Sequence, residues 1–570
     1  MLNNLPGHWD DEVDFIAVGS GIGGLSGAIA AHEQGLSAIV LEKTDKLGGV
    51  TALSMGEVWV PGNAKARAIG VEDSAESGYR YVRQLSMGYG EDALILNQVV
   101  HAAPVLDWFE ERIGLRLEPI RNCPDYYRGH SNDAVPEGRL LEPVPFRAET
   151  LGAWQESTRV SPQVPYGLTH EDIYAMGGTC NLLHWDYTEM ARRLSEDERC
   201  LGPALAAYFV KGALDRDIVI QTGADVQELI ADGTQVCGVR YIKDGRDHFV
   251  KARRGVLVAV SSYDRNPELT RTLGPQLEPE SMVTFGTVDG AHFRLTGPLG
   301  ARIARMPDVT MLGYNIPGEE TDEGTPMWRG GMTFIGLPHT IVVNRAGKRF
   351  ANEGFYRSIY YAVDAIDGGT QTHPNFPAWA ILDAQARAKY PLGSIMPGQD
   401  VPEEVAVKAD SLAELASLTG IDRDGLEATV ARFNDHAERG EDPDFNRHAY
   451  PWGAWLCGDA SHKPHPNLGP LLKPPFYALK FKRLTGSAIA STGVVIDRHA
   501  RAVGWDGQAI PGLYLAGNSA ARLDMGALVQ SGMSNARGMT QGWLAGHHAA
   551  GKASTLLDEA LAELEEREPV

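Results

Sequence analysis

"VDFIAVGSGIGGLSGAIAAHEQGLSAIVLE", residues 13–42, decides the fold. Its "FIAV" is a short apolar run that reads as a strand, and glycines follow at once. A small-residue helical stretch comes next, then a second apolar run, "AIVL". Strand, helix and strand in that order make a βαβ unit. Gly19, Gly21 and Gly24 form GxGxxG between strand and helix. The first allows a tight turn, the second lets backbone approach a pyrophosphate, and the third lets the helix pack on the strand. The helix N-terminus adds partial positive charge for the phosphates. Glu42 ends the second strand, where a carboxylate accepts hydrogen bonds from ribose hydroxyls.

The residues that follow choose the dinucleotide. "KTDKLGGVTALSMGEVWVPGN" (43–63) brings Lys43, Gly48, Gly49, Thr51, Ser54 and Gly56 together soon after Glu42. Backbone amides and hydroxyls at that density suit the longer diphosphate and isoalloxazine of FAD. Near the other end, "GLYLAGN" (512–518) is a short strand ending in Gly517 and Asn518. The small-residue stretch "QSGMSNARGMTQGWLAGHHAAG" (530–551) predicts a helix whose positive end faces the flavin N1/O2 edge. Val226 and Met533 are counted with these residues as cofactor-binding positions.

Composition sets the outer bounds. At 570 residues the chain is too long for one compact core. A hydrophobic fraction of 43% and a charged fraction of 22% are those of a soluble globular protein. The net charge of -22 repels phosphate backbones, which argues against nucleic acid and against a bare anionic membrane. The five cysteines are scattered without a CxxC, so reduced thiols in a cytoplasmic protein are expected, with no metal. The N-terminus has no secretion-signal pattern, and no apolar stretch approaches the ~18 residues of a transmembrane segment.

These pieces resemble the fumarate reductase/succinate dehydrogenase flavoprotein superfamily and, within it, the bacterial FAD-dependent 3-ketosteroid dehydrogenases. The resemblance rests on "VGSGIGGLSGA", "EKTDKLGGVTALSMGEVWVPGN", "CPDYYRGH" (123–130), "HTIVVNRAGKRFANE" (339–353), "PPFYALK" (474–480) and "GLYLAGN". It implies an α/β fold: a Rossmann-like FAD-binding domain in two segments with an inserted α+β substrate domain. We place the first FAD segment at 1–283, the inserted domain at 284–465 and the return segment at 466–570. The Pro-rich "HKPHPNLGPLLKPP" marks the insert's end.

The departures from the family narrow the substrate. Fumarate reductases clamp a dicarboxylate with a histidine in the segment that reads "FKRLTGSAIASTGVVID" here, without one. Relatives in membrane complexes tether FAD to a histidine near the glycine-rich loop; "GGVTALS" has none, so FAD is expected to be non-covalent. Ketosteroid enzymes hold the substrate carbonyl with a tyrosine and a glycine amide after the last glycine-rich strand. By count those positions fall on Leu528, expected on the wall of an apolar cleft, and on Gly532. The implied reaction adds or removes hydrogen across a C–C bond beside the ketone of a hydrophobic, steroid-like cyclic substrate, with an unidentified electron acceptor or donor. A fumarate-reductase-like ene reductase of a small unsaturated acid, or a flavoprotein electron carrier, are the alternatives.

Desaturation beside a carbonyl needs a hydride acceptor and a base for the α-proton. "ANEGFYRS" (351–358) offers two candidates. The fourth residue after Asn-Glu transfers the proton in both related groups; here it is Arg357, with Tyr356 one place earlier. A free phenol titrates near ~10, and a neighbouring guanidinium lowers that value. Arginine is always protonated, so a neutral ketone favours Tyr356. In the ketosteroid family one tyrosine of "DYY", here Tyr126 or Tyr127, supports the catalytic one.

Overall fold

Five parallel strands form the centre of a nine-stranded sheet, in the spatial order Ala509–Leu515, Arg246–Val258, Asp11–Val18, Ala38–Leu41, Val219–Gln221. The computed structural model describes residues 2–567 apart from 163, 165, 166, 275, 276, 282, 283, 322, 486–488 and 490. Strand Asp11–Val18 ends in four buried residues and strand Ala38–Leu41 is buried throughout, the pattern of a parallel sheet covered on both faces. The first half of the long strand Arg246–Val258 also pairs antiparallel with Gln235–Lys243, which pairs with Asp225–Gly233. Two segments far apart in sequence therefore share one sheet.

Helix Ile22–Glu33 connects the first two parallel strands, and helix Met533–Ala549 lies directly against it. The small residues of both sequences make this contact. A Cβ on Gly542 would stand 2.3 Å from the carbonyl oxygen of Gly23, and one on Gly546 2.7 Å from the backbone of Gly27. Backbone meets backbone, so both helix N-termini are brought to the same end of the sheet, above the carboxyl ends of its parallel strands.

The remaining strands form smaller antiparallel sheets. Thr340–Asn344, Ala378–Leu382, Phe476–Lys480 and Val407–Ala409 make one in that order; Pro326–Gly330, Met311–Glu320 and Lys482–Leu484 make another. The strands at 476–484 lie in the stretch expected to be the return segment, yet they pair with strands of the middle of the chain. The chain rejoins the large sheet at Arg501–Val503 and Ala509–Leu515. The expected boundary at 283 lies outside the described residues.

The short helix Tyr356–Ala362 is set by a buried ion network just before it. Glu353 is fully buried and accepts from Arg349 at 2.6 and 2.7 Å and from the backbone N–H of Val342 at 3.1 Å. Arg349 also bridges to Asp442 at 2.8 Å. The Asn-Glu pair thus nails the loop to strand Thr340–Asn344, and the following residues are delivered towards the large sheet.

Candidate active site

A cavity of about 360 Å³ lies between the two helix N-termini and helix Tyr356–Ala362. Gly19, Gly21, Glu42, Lys43, Gly49, Thr51, Ser54, Gly56, Val226, Gly517 and Asn518 all line it. Gly24, Gly48 and Met533 do not. Gly24 serves packing, since a Cβ there would sit 1.9 Å from the Gly19 carbonyl oxygen. Gly48 donates its N–H to Ser20 Oγ at 3.2 Å, and Met533 is buried in the core of the inserted sheets.

The chain's features at this end fit a phosphate-rich, polar ligand. The N-caps of the two helices are Gly21 and Gly532, which bring no side chain of their own; the Ile22 N–H is taken by Thr51 Oγ1 at 3.2 Å, and the positive ends of both helices border the cavity. Gly19 has φ +102°, and a Cβ on it would lie 2.4 Å from the Ala259 carbonyl oxygen, so only glycine makes this turn. Three buried polar atoms on the wall, Ser261 Oγ, Asn518 Oδ1 and Ser534 Oγ, have no hydrogen-bond partner among the described residues. Buried polar atoms are normally paired, so a ligand with distributed acceptors and donors is what they await. Glu42 is fixed by four hydrogen bonds, from the N–H and hydroxyl of Ser20 (3.0 and 2.7 Å) and of Thr44 (2.9 and 3.1 Å).

The far wall carries the proton-transfer candidates. Tyr356, Arg357 and Tyr126 line the cavity and are 2%, 3% and 6% exposed. The Tyr356 hydroxyl donates to that of Tyr126 at 3.2 Å. Trp452 packs on both rings, with centroids 4.1 Å from Tyr126 and 5.2 Å from Tyr356. The Arg357 guanidinium stands 4.9 Å over the Tyr356 ring. Its Nε and Nη1 are buried with no hydrogen-bond partner among the described residues. Tyr127 is behind this wall, edge-on to Phe355 at 5.2 Å, and does not reach the cavity. Leu528 does not line it either: its N–H is tied to the Leu85 carbonyl at 3.1 Å, and Val529 takes the wall position. Gly532 does line it, and its carbonyl accepts from the Trp59 N–H at 3.2 Å.

Burial pushes the Tyr356 pKa above that of a free phenol. Arg357 and the hydrogen bond with Tyr126 act the other way and do not cancel it. The guanidinium does lower this phenol, as expected, but desolvation is the larger influence and the net shift is upward. Tyr126 is raised further, by burial and then by the charges of Tyr356 and Glu57, with Arg357 and a hydrogen bond with Ser531 opposing.

Glu57, His170 and Ser531 also line the cavity, and sequence reasoning passed over all three. Glu57 Oε2 accepts from the Ser531 hydroxyl, and its Oε1 lies 3.6 Å from His170 Nε2. A lone acid in the apolar run "GEVWVPG" was the one local signal. Nothing near Ser531 or Trp452 in sequence marks either.

The chain matches the model of the FAD binding domain family over residues 14–533. It belongs to that family, its cofactor is FAD, and it is an oxidoreductase. It is 31% identical over 563 residues to 4-oxocyclohexanecarboxylate 2-dehydrogenase of Sinomonas cyclohexanicum, covering 96% of this chain and 95% of that protein. It is 29% identical over 572 residues to 3-oxosteroid 1-dehydrogenase of Mycobacterium tuberculosis, covering 95% and 99%. Among solved structures it resembles 3-ketosteroid delta1-dehydrogenase of Sterolibacterium denitrificans in complex with 1,4-androstadiene-3,17-dione, at 28% identity and a TM-score of 0.85 over 95% of this chain and 100% of that one. Among the described residues no helix is long and apolar enough to cross a membrane, and no group of three or more His, Cys, Asp or Glu could hold a metal ion.

Proposed function

We propose that this protein is an FAD-dependent dehydrogenase of the CH–CH bond beside a ketone in a hydrophobic cyclic substrate. The observation that carries the reading is the Tyr356–Tyr126 hydrogen bond of 3.2 Å, in the cavity that the FAD-binding glycine loop also lines. Bound FAD supplies the hydride acceptor. Tyr356 takes the proton from the carbon next to the ketone, and Tyr126 accepts the hydrogen bond that keeps the Tyr356 oxygen aimed at the cavity. The N–H of Gly532, on the cavity wall, is assigned to the ketone oxygen, where it makes the α-proton more acidic. Trp452 holds both rings and excludes water. Tyr127 is given no part.

Arg357 refines the substrate. A buried guanidinium with two unpaired nitrogens is costly, and a carboxylate is their best complement. It favours a cyclic ketone that also bears an acid group over a neutral steroid; the Sinomonas relative is named for such a compound. The test is anaerobic. The oxidised protein is mixed separately with 4-oxocyclohexanecarboxylate, its methyl ester and a 3-ketosteroid, and loss of flavin absorbance is followed. Bleaching by at least one supports a ketone dehydrogenase. Bleaching by none, with reoxidation of the reduced protein by fumarate, supports the ene-reductase alternative instead.

We also place the inserted domain at about 306–484. Strand Ile303–Arg305 pairs with Thr492–Val494, so the chain enters and leaves the insert side by side. FAD is held without a covalent bond, the electron acceptor is a separate molecule, and the five free cysteines suit a cytoplasmic protein.

A further inference from the structure

A phenol that takes a proton from carbon must first be rid of its own. Tyr356 and Tyr126 are both buried, and an uncompensated phenolate in that wall is expensive. Glu57 lines the same cavity, and both phenols feel its charge. Tyr356 donates to Tyr126 at 3.2 Å, the Ser531 hydroxyl is close enough to Tyr126 to lower its pKa, and Ser531 donates to Glu57 Oε2. The donors at both ends of the line point from the cavity towards Glu57, and the rotatable hydroxyls of Tyr126 and Ser531 stand between them. The Glu57 side chain is 16% exposed, more open than either phenol, and its backbone carbonyl is pinned by Asn535 Nδ2 at 2.9 Å. The groups facing Glu57 are His170, at 3.6 Å, and Tyr126, Tyr174, Tyr356 and Cys123, which feel its charge.

We infer that Glu57 is the terminal proton acceptor of the reaction, reached from Tyr356 through Tyr126 and Ser531. The inference rests on the ketone-dehydrogenase reading above. The balance is simple. The α-C–H bond breaks and its proton joins Tyr356 Oη. The Tyr356 proton passes to Tyr126, that of Tyr126 to Ser531, and that of Ser531 to Glu57 Oε2. The carboxylate becomes a carboxylic acid and each hydroxyl ends neutral. The two electrons of the β-C–H bond leave as hydride to the cofactor, and the substrate gains a C=C bond. His170, with a ring nitrogen 3.6 Å from Oε1, stabilises the carboxylate between turnovers. Glu57 and Ser531 act here through Tyr126 and are positioning and relay residues.

The test compares Glu57→Gln, Glu57→Ala and Ser531→Ala with the native holoenzyme. It measures the anaerobic rate of flavin bleaching by a ketone that bleaches the native protein, as a function of pH. It also measures that ketone's Kd from the flavin spectral shift. The expected result is a loss of about 100-fold or more in rate for Glu57→Gln, with FAD content and Kd within a few-fold of native. The Glu57→Gln rate climbs with pH where the native rate is level, because solvent must now take the proton, and added formate restores rate to Glu57→Ala but not to Ser531→Ala. Native rates and pH profiles in Glu57→Gln overturn the relay while leaving the ketone reading intact. A loss that formate and pH leave untouched overturns it too, since Glu57 is then structural. No bleaching of the native protein by any ketone overturns the reading itself and the relay with it.

Discussion

The Tyr356 phenol donates to the Tyr126 phenol although 230 residues of chain separate them. Each comes from a different part of the molecule: Tyr356 opens a helix of the inserted sheets, and Tyr126 follows the strand Leu117–Pro119. Tyr356→Phe keeps the ring packing on Trp452 and removes only the hydroxyl. It should lower the rate of flavin bleaching by about 10²–10⁴-fold while the ketone still binds. Tyr126→Phe should be a milder defect. A Tyr356→Phe protein that turns over at the native rate refutes the assignment.

Arg357→Gln should separate charged from neutral substrates. Losing a charge-assisted hydrogen bond costs about 1.5–3 kcal/mol, so the Kd of 4-oxocyclohexanecarboxylate should rise by roughly ten- to a hundredfold. That of its methyl ester should hardly move. Titration of the flavin spectrum with both ligands decides it, and an equal loss for the two would remove the carboxylate from the reading.

Glu42→Ala should weaken FAD retention. The carboxylate both faces the cavity and ties the turn at Ser20 to the strand end at Thr44, so its removal loosens the glycine loop as well. Gel filtration of the variant should yield a lower flavin-to-protein ratio than native. Heat precipitation of the native protein should leave all flavin in the supernatant; a yellow pellet would show a covalent link.

Gly542→Val tests the contact between the two long helices. Its side chain would be driven into the Gly23 carbonyl, 2.3 Å from a Cβ. Overpacking of this kind costs about 1–3 kcal/mol or more, and the damage reaches the cofactor because both helix N-termini border the cavity. Thermal unfolding should come earlier and FAD occupancy should fall together. A stable variant with full flavin would mean the helices can part without harm.

His292 is fully buried, packed on Phe293 at 4.0 Å, and neither ring nitrogen has a hydrogen-bond partner among the described residues. Burial lowers its pKa to about 3, against about 6.5 when unfolded. The unfolded chain therefore binds this proton first. Stability is full above about pH 6.5 and falls as pH drops towards 3, by up to about 1.4 kcal/mol per pH unit. Chemical denaturation at pH 7, 5.5 and 4.5 should show the decline, and His292→Phe should flatten it. An identical pH dependence in the variant would put the acid sensitivity elsewhere.

What the sequence made legible was contiguous. The first βαβ unit, the second glycine loop and the final strand each carry their signal within some twenty residues, because a turn, a helix start and a phosphate cradle are local problems in backbone geometry. The wall opposite was harder. Tyr356 could be named but not separated from Arg357, because a one-residue slip in a loop is invisible until Glu353 is seen anchoring the stretch to Val342. Glu57, Ser531 and Trp452 meet from three distant segments, and no spacing rule joins them. Counting put Leu528 on the cavity wall, but a backbone bond to Leu85 turns the chain there and leaves Val529 in the place. The end of the insert was drawn at a proline-rich stretch, and the strands Phe476–Lys480 and Lys482–Leu484 beyond it pair with strands from the middle of the chain, a pairing no local pattern announces.

The parallel sheet is closed by a strand made late. Ala509–Leu515 pairs with Val256–Val258, which emerges from the ribosome roughly 250 residues earlier. At roughly 5–20 residues per second that interval is roughly 10 to 50 seconds. Throughout it the nascent chain carries a buried-type strand with one open edge and a first helix whose glycine face has nothing to cover it. Such an edge is a template for pairing with other chains. Cells making this protein fast, or truncating it before residue 509, should therefore meet aggregation and chaperone demand during synthesis, and flavin can be captured only after the last hundred residues have arrived.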